Sequence, residues 1–252
     1  MDTGNNTDRS APAVTGPGSY DHMNETEWLT AREPWGMIAF IRESASRRKL
    51  RLFACACCRQ VLNPFAPPLV ERAVTAAEMF ADGEVGHSAL LQTRAVVAPA
   101  SNAARRANVG SRVGYLCHLW DACLAACWDG WEADAADDAA LATARAAADV
   151  PWPATGTPPA DFYAELANQA DLLRDIFGNP FTSCGLEPEW LTDTVIGMAR
   201  SIYTEYTFDQ LPVLADALQD AGCDSDPILN HCRSEREHVR GCWVVDLLLS
   251  KA

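Results

Sequence analysis

RRKLRLFACACCRQVL, residues 47–62, decides the fold class. Ser46 precedes it with a hydroxyl suited to capping a helix, and Pro64 follows and stops one. Leu50, Phe53, Ala54, Cys57, Cys58, Val61 and Leu62 recur at spacings of three and four. That is one apolar face of an amphipathic helix, with no period-two alternation that a strand would need.

The same signal continues on both sides. Glu25 to Ala31 reads as one helical turn, and Pro34 opens a helix running to about Glu43. Pro67-Pro68 opens another that Gly83 ends. Residues 86–150 are Ala-rich and divide at Pro99, Gly110, Gly114 and Gly130 into three or four helices. Residues 133–149 have high helix propensity and few large apolar groups, which predicts a thin, exposed helix. Ala160 to Phe177 carries Phe162, Leu166, Ala170, Leu173 and Phe177 on one face, and Gly178-Asn179-Pro180 ends it. Thr192 to Tyr206, a helix capped by Asp209 and closed by Gly222, Asp226 to Cys232, and Gly241 to Ser250 complete the pattern. The expected class is all-α: an irregular multi-helix bundle, with paired short helices that allow a stack. Leu173, Phe177, Leu214, Leu218, Trp243 and Leu247 are the expected core of its C-terminal half.

Composition marks the boundaries. Residues 1–22 are rich in Asp, Asn, Ser, Thr, Gly and Pro, and read as a disordered tail. Residues 23–150 form an N-terminal helical part with the Ala-rich middle. A Pro/Gly loop spans 151–159, and residues 160–252 form a C-terminal helical part packed on the first. No run of uncharged apolar residues reaches membrane-spanning length, so no membrane partner is expected. The N-terminal residues hold no apolar leader, which predicts a cytoplasmic protein with reduced thiols despite its ten cysteines.

The net charge of −14 argues against nucleic acid as a partner, because like charges repel. The charge is uneven. Residues 34–72 hold seven basic and two acidic residues; residues 116–170 hold nine acidic residues and one Arg. The run Arg47, Arg48, Lys49 and Arg51 is the candidate patch for an acidic protein partner. Complementarity between the two halves of the chain explains the same asymmetry.

Candidate chemistry concentrates in two groups. Near the C-terminus stand Cys223, His231, Cys232, His238 and Cys242. Zinc takes four Cys or His ligands in a tetrahedron. His231 and Cys232 diverge by about 100° on a helix, so only one of them joins a site. The candidate set is Cys223, one of His231 and Cys232 (Cys232 is the one named), His238 and Cys242, with zinc as the metal it would take. Without a Cys-x-x-Cys pair, buried reduced thiols and no cofactor are the favoured expectation. In the second group, Cys55, Cys57 and Cys58 read as core, with a reactive thiol near the basic run as the alternative. Asp171 and Asp175 flank Arg174 and read as a solvated helix face. Phosphate-binding loops, His-Glu-x-x-His and Gly-x-Ser-x-Gly are absent from the sequence.

Five stretches carry a resemblance: Glu27-Trp28-Leu29, KLRLFACACCR (49–59), DLLRDIFGNPF (171–181), FDQLPVLADAL (208–218) and HVRGCWVVDLLL (238–249). Together they resemble a paralogous family of uncharacterised, Ala-rich helical proteins of planctomycete bacteria, over roughly residues 23–83 and 165–252. The resemblance implies no activity, cofactor or catalytic residue. The all-α pattern, the absence of catalytic signatures and the uneven charge lead to the expectation of a non-catalytic helical protein-interaction or regulatory module with an unidentified protein partner. The alternatives are a small zinc-stabilised metalloprotein and an enzyme of unidentified chemistry.

Overall fold

The structure is a computed structural model that describes residues 22–62, 66–106, 111–128, 132–148 and 160–251. The expected loop 151–159, and the expected tail up to residue 21, lie outside the described residues.

Among the described residues the chain is all-α. Its helices are α1 (Glu25–Thr30), α2 (Pro34–Ile41), α3 (Arg47–Gln60), α4 (Pro68–Ala81), α5 (His87–Arg106) and α6 (Ser111–Ala126). They continue as α7 (Glu132–Ala148), α8 (Ala160–Phe177), α9 (Asp193–Glu205), α10 (Leu211–Asp220), α11 (Asp226–Cys232) and α12 (Trp243–Leu248). Short 3-10 turns at Pro188–Trp190 and Phe208–Gln210 lead into α9 and α10.

Most boundaries follow from local chemistry. The Ser46 hydroxyl accepts the Lys49 N–H at 3.3 Å and caps α3. Asn24 and Glu27 form a reciprocal capping box on α1. Asp209, expected as a cap, instead sits inside the 3-10 turn; α10 starts after Gln210 with Pro212 in its first turn and no side-chain cap. Pro99 lies inside α5 and does not end it.

α3 is a central helix, buried on two sides. Ala54, Cys55, Cys58 and Val61 pack with α4, α5 and α6, while Leu50, Phe53, Ala56 and Cys57 pack with α1, α2, α7 and α8. All three cysteines of the stretch are core, as the first of their two readings held, and burial pushes each thiol up in pKa. A low-pKa thiol there is excluded.

The expectation for α7 is corrected. Ala133, Ala136, Ala139, Ala140, Ala144 and Ala146 are all buried. The helix lies against α2, α3, α6 and α8. Methyl side chains make α7 thin, and thinness lets its backbone approach four neighbours closely, where large apolar groups would hold them apart.

The expected C-terminal core divides in two. Leu173 belongs to the cluster of Trp28, Phe53 and Ile176, with Phe177 packed at its edge. Leu214 and Leu218 belong to the separate cluster of α9–α12, with Trp243 and Leu247 partly buried against it. α8 thus belongs to the N-terminal bundle by its packing and carries the C-terminal helices through α12.

A polar seam joins these parts. The Arg48 guanidinium on α3 makes a two-pronged ion pair with Asp246 on α12, at 2.6 and 3.0 Å. It also contacts Asp82 at 2.8 Å and the Tyr203 hydroxyl at 2.7 Å. Arg240 donates to the other Asp82 oxygen at 2.8 Å and to Glu84 at 2.7 Å. Burial of Asp82 and Asp246 costs energy that the guanidiniums and Tyr203 offset.

Candidate metal centre

Among the described residues, Asp175, His231, His238 and Cys242 bring one donor atom each within 4.8 Å of one another. Three segments deliver them. Asp175 stands in the last turn of α8, His231 in the last turn of α11, and His238 and Cys242 in the irregular segment before α12.

Two glycines shape the approach. Gly178 ends α8 at φ +67°, and a Cβ there would sit 3.2 Å from Cγ of Trp243. Gly241 takes φ +99° immediately before Cys242, and a Cβ there would meet Leu52 Cδ1 at 3.0 Å. A larger residue at 178 would press the end of α8 against Trp243, and one at 241 would press the segment before α12 against Leu52 of α3. α1 is pinned to the same end of α8. Arg174 donates to the carbonyls of Trp28 and Ala31, and Trp28 Nε1 donates to Gly178 O at 3.0 Å.

The distances define a converging group. His231 Nε2 lies 3.2 Å from Cys242 Sγ and 3.2 Å from Asp175 Oδ1. His238 Nδ1 lies 2.6 Å from the same Oδ1. A tetrahedral zinc with ordinary bond lengths separates its ligands by about 3.3–3.8 Å. Two of the three contacts are close to that spacing, and the third opens to it by less than about 1 Å. The outer contacts are in place as well. Asp175 Oδ2 accepts the Val239 N–H at 2.9 Å, and His238 Nε2 lies 3.1 Å from Ser234 Oγ. Such contacts fix ring and carboxylate orientation around metals.

Electrostatics fits the same picture. Burial works to raise the Asp175 carboxyl, but hydrogen bonds to His231 and His238 outweigh it and leave it below the usual carboxylate range. Burial, and after it the Asp175 charge, pushes the Cys242 thiol well up. A divalent cation would displace the thiol proton and leave a neutral site of one carboxylate, one thiolate and two imidazoles.

A nucleophile triad fits less well. In a triad the base uses one ring nitrogen for the nucleophile and the other for the orienting acid. Here the same atom, His231 Nε2, faces both Cys242 and Asp175. The four donors converge on one point, as a ligand set requires.

Of the four candidate ligands, two fall within the converging group. His238 and Cys242 are brought together, by an irregular loop and the Gly241 turn and not by a helical turn. Cys223 and Cys232 lie in the core of α9–α12 and are not among the converging donors. Burial pushes the Cys232 thiol up to about 12. His231 takes the one place open to the 231/232 pair. Asp175 was read as solvated and is instead 3% exposed, while Asp171 one turn earlier is 43% exposed. The signal was available: Asp175 falls between Leu172 and Ile176, both buried. A carboxylate at a core position of an amphipathic helix needs a buried partner.

The basic run is also placed. Arg47 is exposed. Arg48 belongs to the polar seam, Lys49 donates to Ile176 O at 2.9 Å, and buried Arg51 donates to Ala126 O at 2.8 Å. Arg48, Lys49 and Arg51 thus make contacts within the fold, and Arg47 is the exposed member of the run. Among the described residues no helix is long and apolar enough to cross a membrane. Comparison with family models, with curated proteins and with solved structures finds no match.

Proposed function

We propose that this chain is a helical metalloprotein held together by one zinc ion on Asp175, His231, His238 and Cys242. The observation that carries the reading is the convergence of four mixed donors, one from α8 and three from segments more than fifty residues later, on a point buried beside α8. The donor set of two nitrogens, one sulfur and one oxygen suits zinc over harder cations such as magnesium or calcium. Two anionic ligands neutralise the ion, which suits a buried position. The nine described cysteines are unpaired, in keeping with a reducing, cytoplasmic setting for the proposal.

The test is metal analysis of full-length protein purified without a polyhistidine tag. One equivalent of zinc should survive dialysis, and chelation should lower the melting temperature by several degrees. Cys242→Ser should abolish stoichiometric zinc, while Cys223→Ser and Cys232→Ser should retain it. Protein that holds no zinc after reconstitution, with a melting temperature indifferent to chelator, overturns the reading.

A further inference from the structure

Three of the four donors look onto one cavity. It measures about 280 Å³ and is lined by Asp175, His231 and His238, and not by Cys242. Cys242 is fully buried. Access to the group from this cavity therefore runs past His231, His238 and Asp175 and not past Cys242.

The rest of the lining has a definite chemistry. Trp28, Leu29, Pro227 and Trp243 give apolar walls. Arg174, Arg236 and Asp171 are the remaining charged residues of the lining. With a divalent cation neutralised by Asp175 and Cys242, these leave an excess of one positive charge. Arg174 is fully engaged with Asp171 and with the Trp28 and Ala31 carbonyls. Arg236 is not: its side chain is 55% exposed, and its contact with Asp171 is a long 3.6 Å.

We propose that this cavity binds a small carboxylate with an apolar body, its carboxylate approaching the metal from the side of His231 and His238 and paired by Arg236. The inference rests on the zinc reading above. Four-coordinate zinc sometimes expands to five ligands when a further donor reaches it. A guanidinium matches a carboxylate with two parallel hydrogen bonds. The volume lies at the lower end of small-molecule sites and fits a body of about one aromatic ring.

Benzoate is the probe, with acetate and inorganic phosphate as controls, added to the full chain loaded with cobalt(II) in place of zinc. Visible absorption reports four- against five-coordination. Benzoate should weaken the four-coordinate bands saturably, and acetate should require at least about tenfold more, because it lacks the buried ring. Arg236→Ala should weaken benzoate about fivefold at unchanged cobalt stoichiometry. Leu29→Ser, at an exposed wall position, should weaken benzoate and leave acetate unchanged. Failure to take up cobalt defeats the zinc reading and this inference with it. Bound cobalt whose spectrum ignores millimolar benzoate overturns this inference alone. Phosphate binding as tight as benzoate likewise overturns it, since the apolar walls would then contribute nothing.

Discussion

Asp175 and His238 meet at 2.6 Å through Oδ1 and Nδ1, while the other Asp175 oxygen takes the backbone N–H of the next residue, Val239. One buried carboxylate thus fastens α8 to the segment that leads into α12. The contact matters to stability with or without metal, because both partners lose their water on burial.

The two roles of Asp175 separate by substitution. Asp175→Ala leaves the Val239 N–H and the His238 ring buried without their acceptor. In the presence of chelator it should cost about 3–5 kcal/mol, read from urea denaturation. Asp175→Asn keeps an acceptor for Val239 and should cost less, about 1–2 kcal/mol, while still losing the anionic ligand. A cost below about 1 kcal/mol for Asp175→Ala would show that the carboxylate does not hold the segment.

Arg48 makes the parallel case in the polar seam. Its guanidinium is the hydrogen-bond partner of the Asp246 carboxylate, whose side chain is essentially buried. Arg48→Met should destabilise by about 3–5 kcal/mol, because a buried charge loses its partner. Adding Asp246→Asn should recover much of that loss. A double-mutant cycle by chemical denaturation measures the coupling, and simple additivity of the two changes would disprove it.

The packing of α7 gives a third test. Ala136 is fully buried between helices, so Ala136→Leu should destabilise by about 1–3 kcal/mol despite Leu's good helix propensity. Leu218, fully buried in the other cluster, should lose about 2–4 kcal/mol on truncation to Ala. Thermal melts that leave Ala136→Leu unchanged would return α7 to the surface.

Asp137 on α7 supplies the pH dependence. Burial raises its carboxyl to about 6, against the opposing pull of Arg42. Asp137 Oδ1 has no hydrogen-bond partner. Between roughly pH 4 and pH 6 the folded state then holds a proton that the unfolded state has released, so this group makes stability fall as pH rises through that window. Asp137→Asn removes the effect. The variant should gain about 1 kcal/mol over the parent near neutral pH, a small figure because the side chain is 35% exposed, and nothing near pH 4. Differential scanning calorimetry at the two pH values checks this; the same difference at both would refute it.

The helices were legible because their signals are local. Ser46, Pro34, Pro68 and the three-and-four spacing of residues 47–62 act within one or two turns of chain, and the structure keeps them. What α7 packs against was not legible. A run of alanines gives the same periodic signal whether it faces water or four neighbouring helices, and only the assembled bundle distinguishes them. The metal centre divides along the same line. His238 and Cys242 are neighbours in sequence, and their pairing was visible as spacing. His231 was visible as one of two alternatives. Asp175 comes from a helix more than fifty residues earlier. Its role depends on the crossing of α8 with the α12 segment, set by Gly178, Gly241 and the cores on either side. Local sequence determined which residues are helical and which carry ligand chemistry. Tertiary packing decided which of those donors share a point in space, because convergence depends on how helices cross and no spacing along one chain segment encodes it.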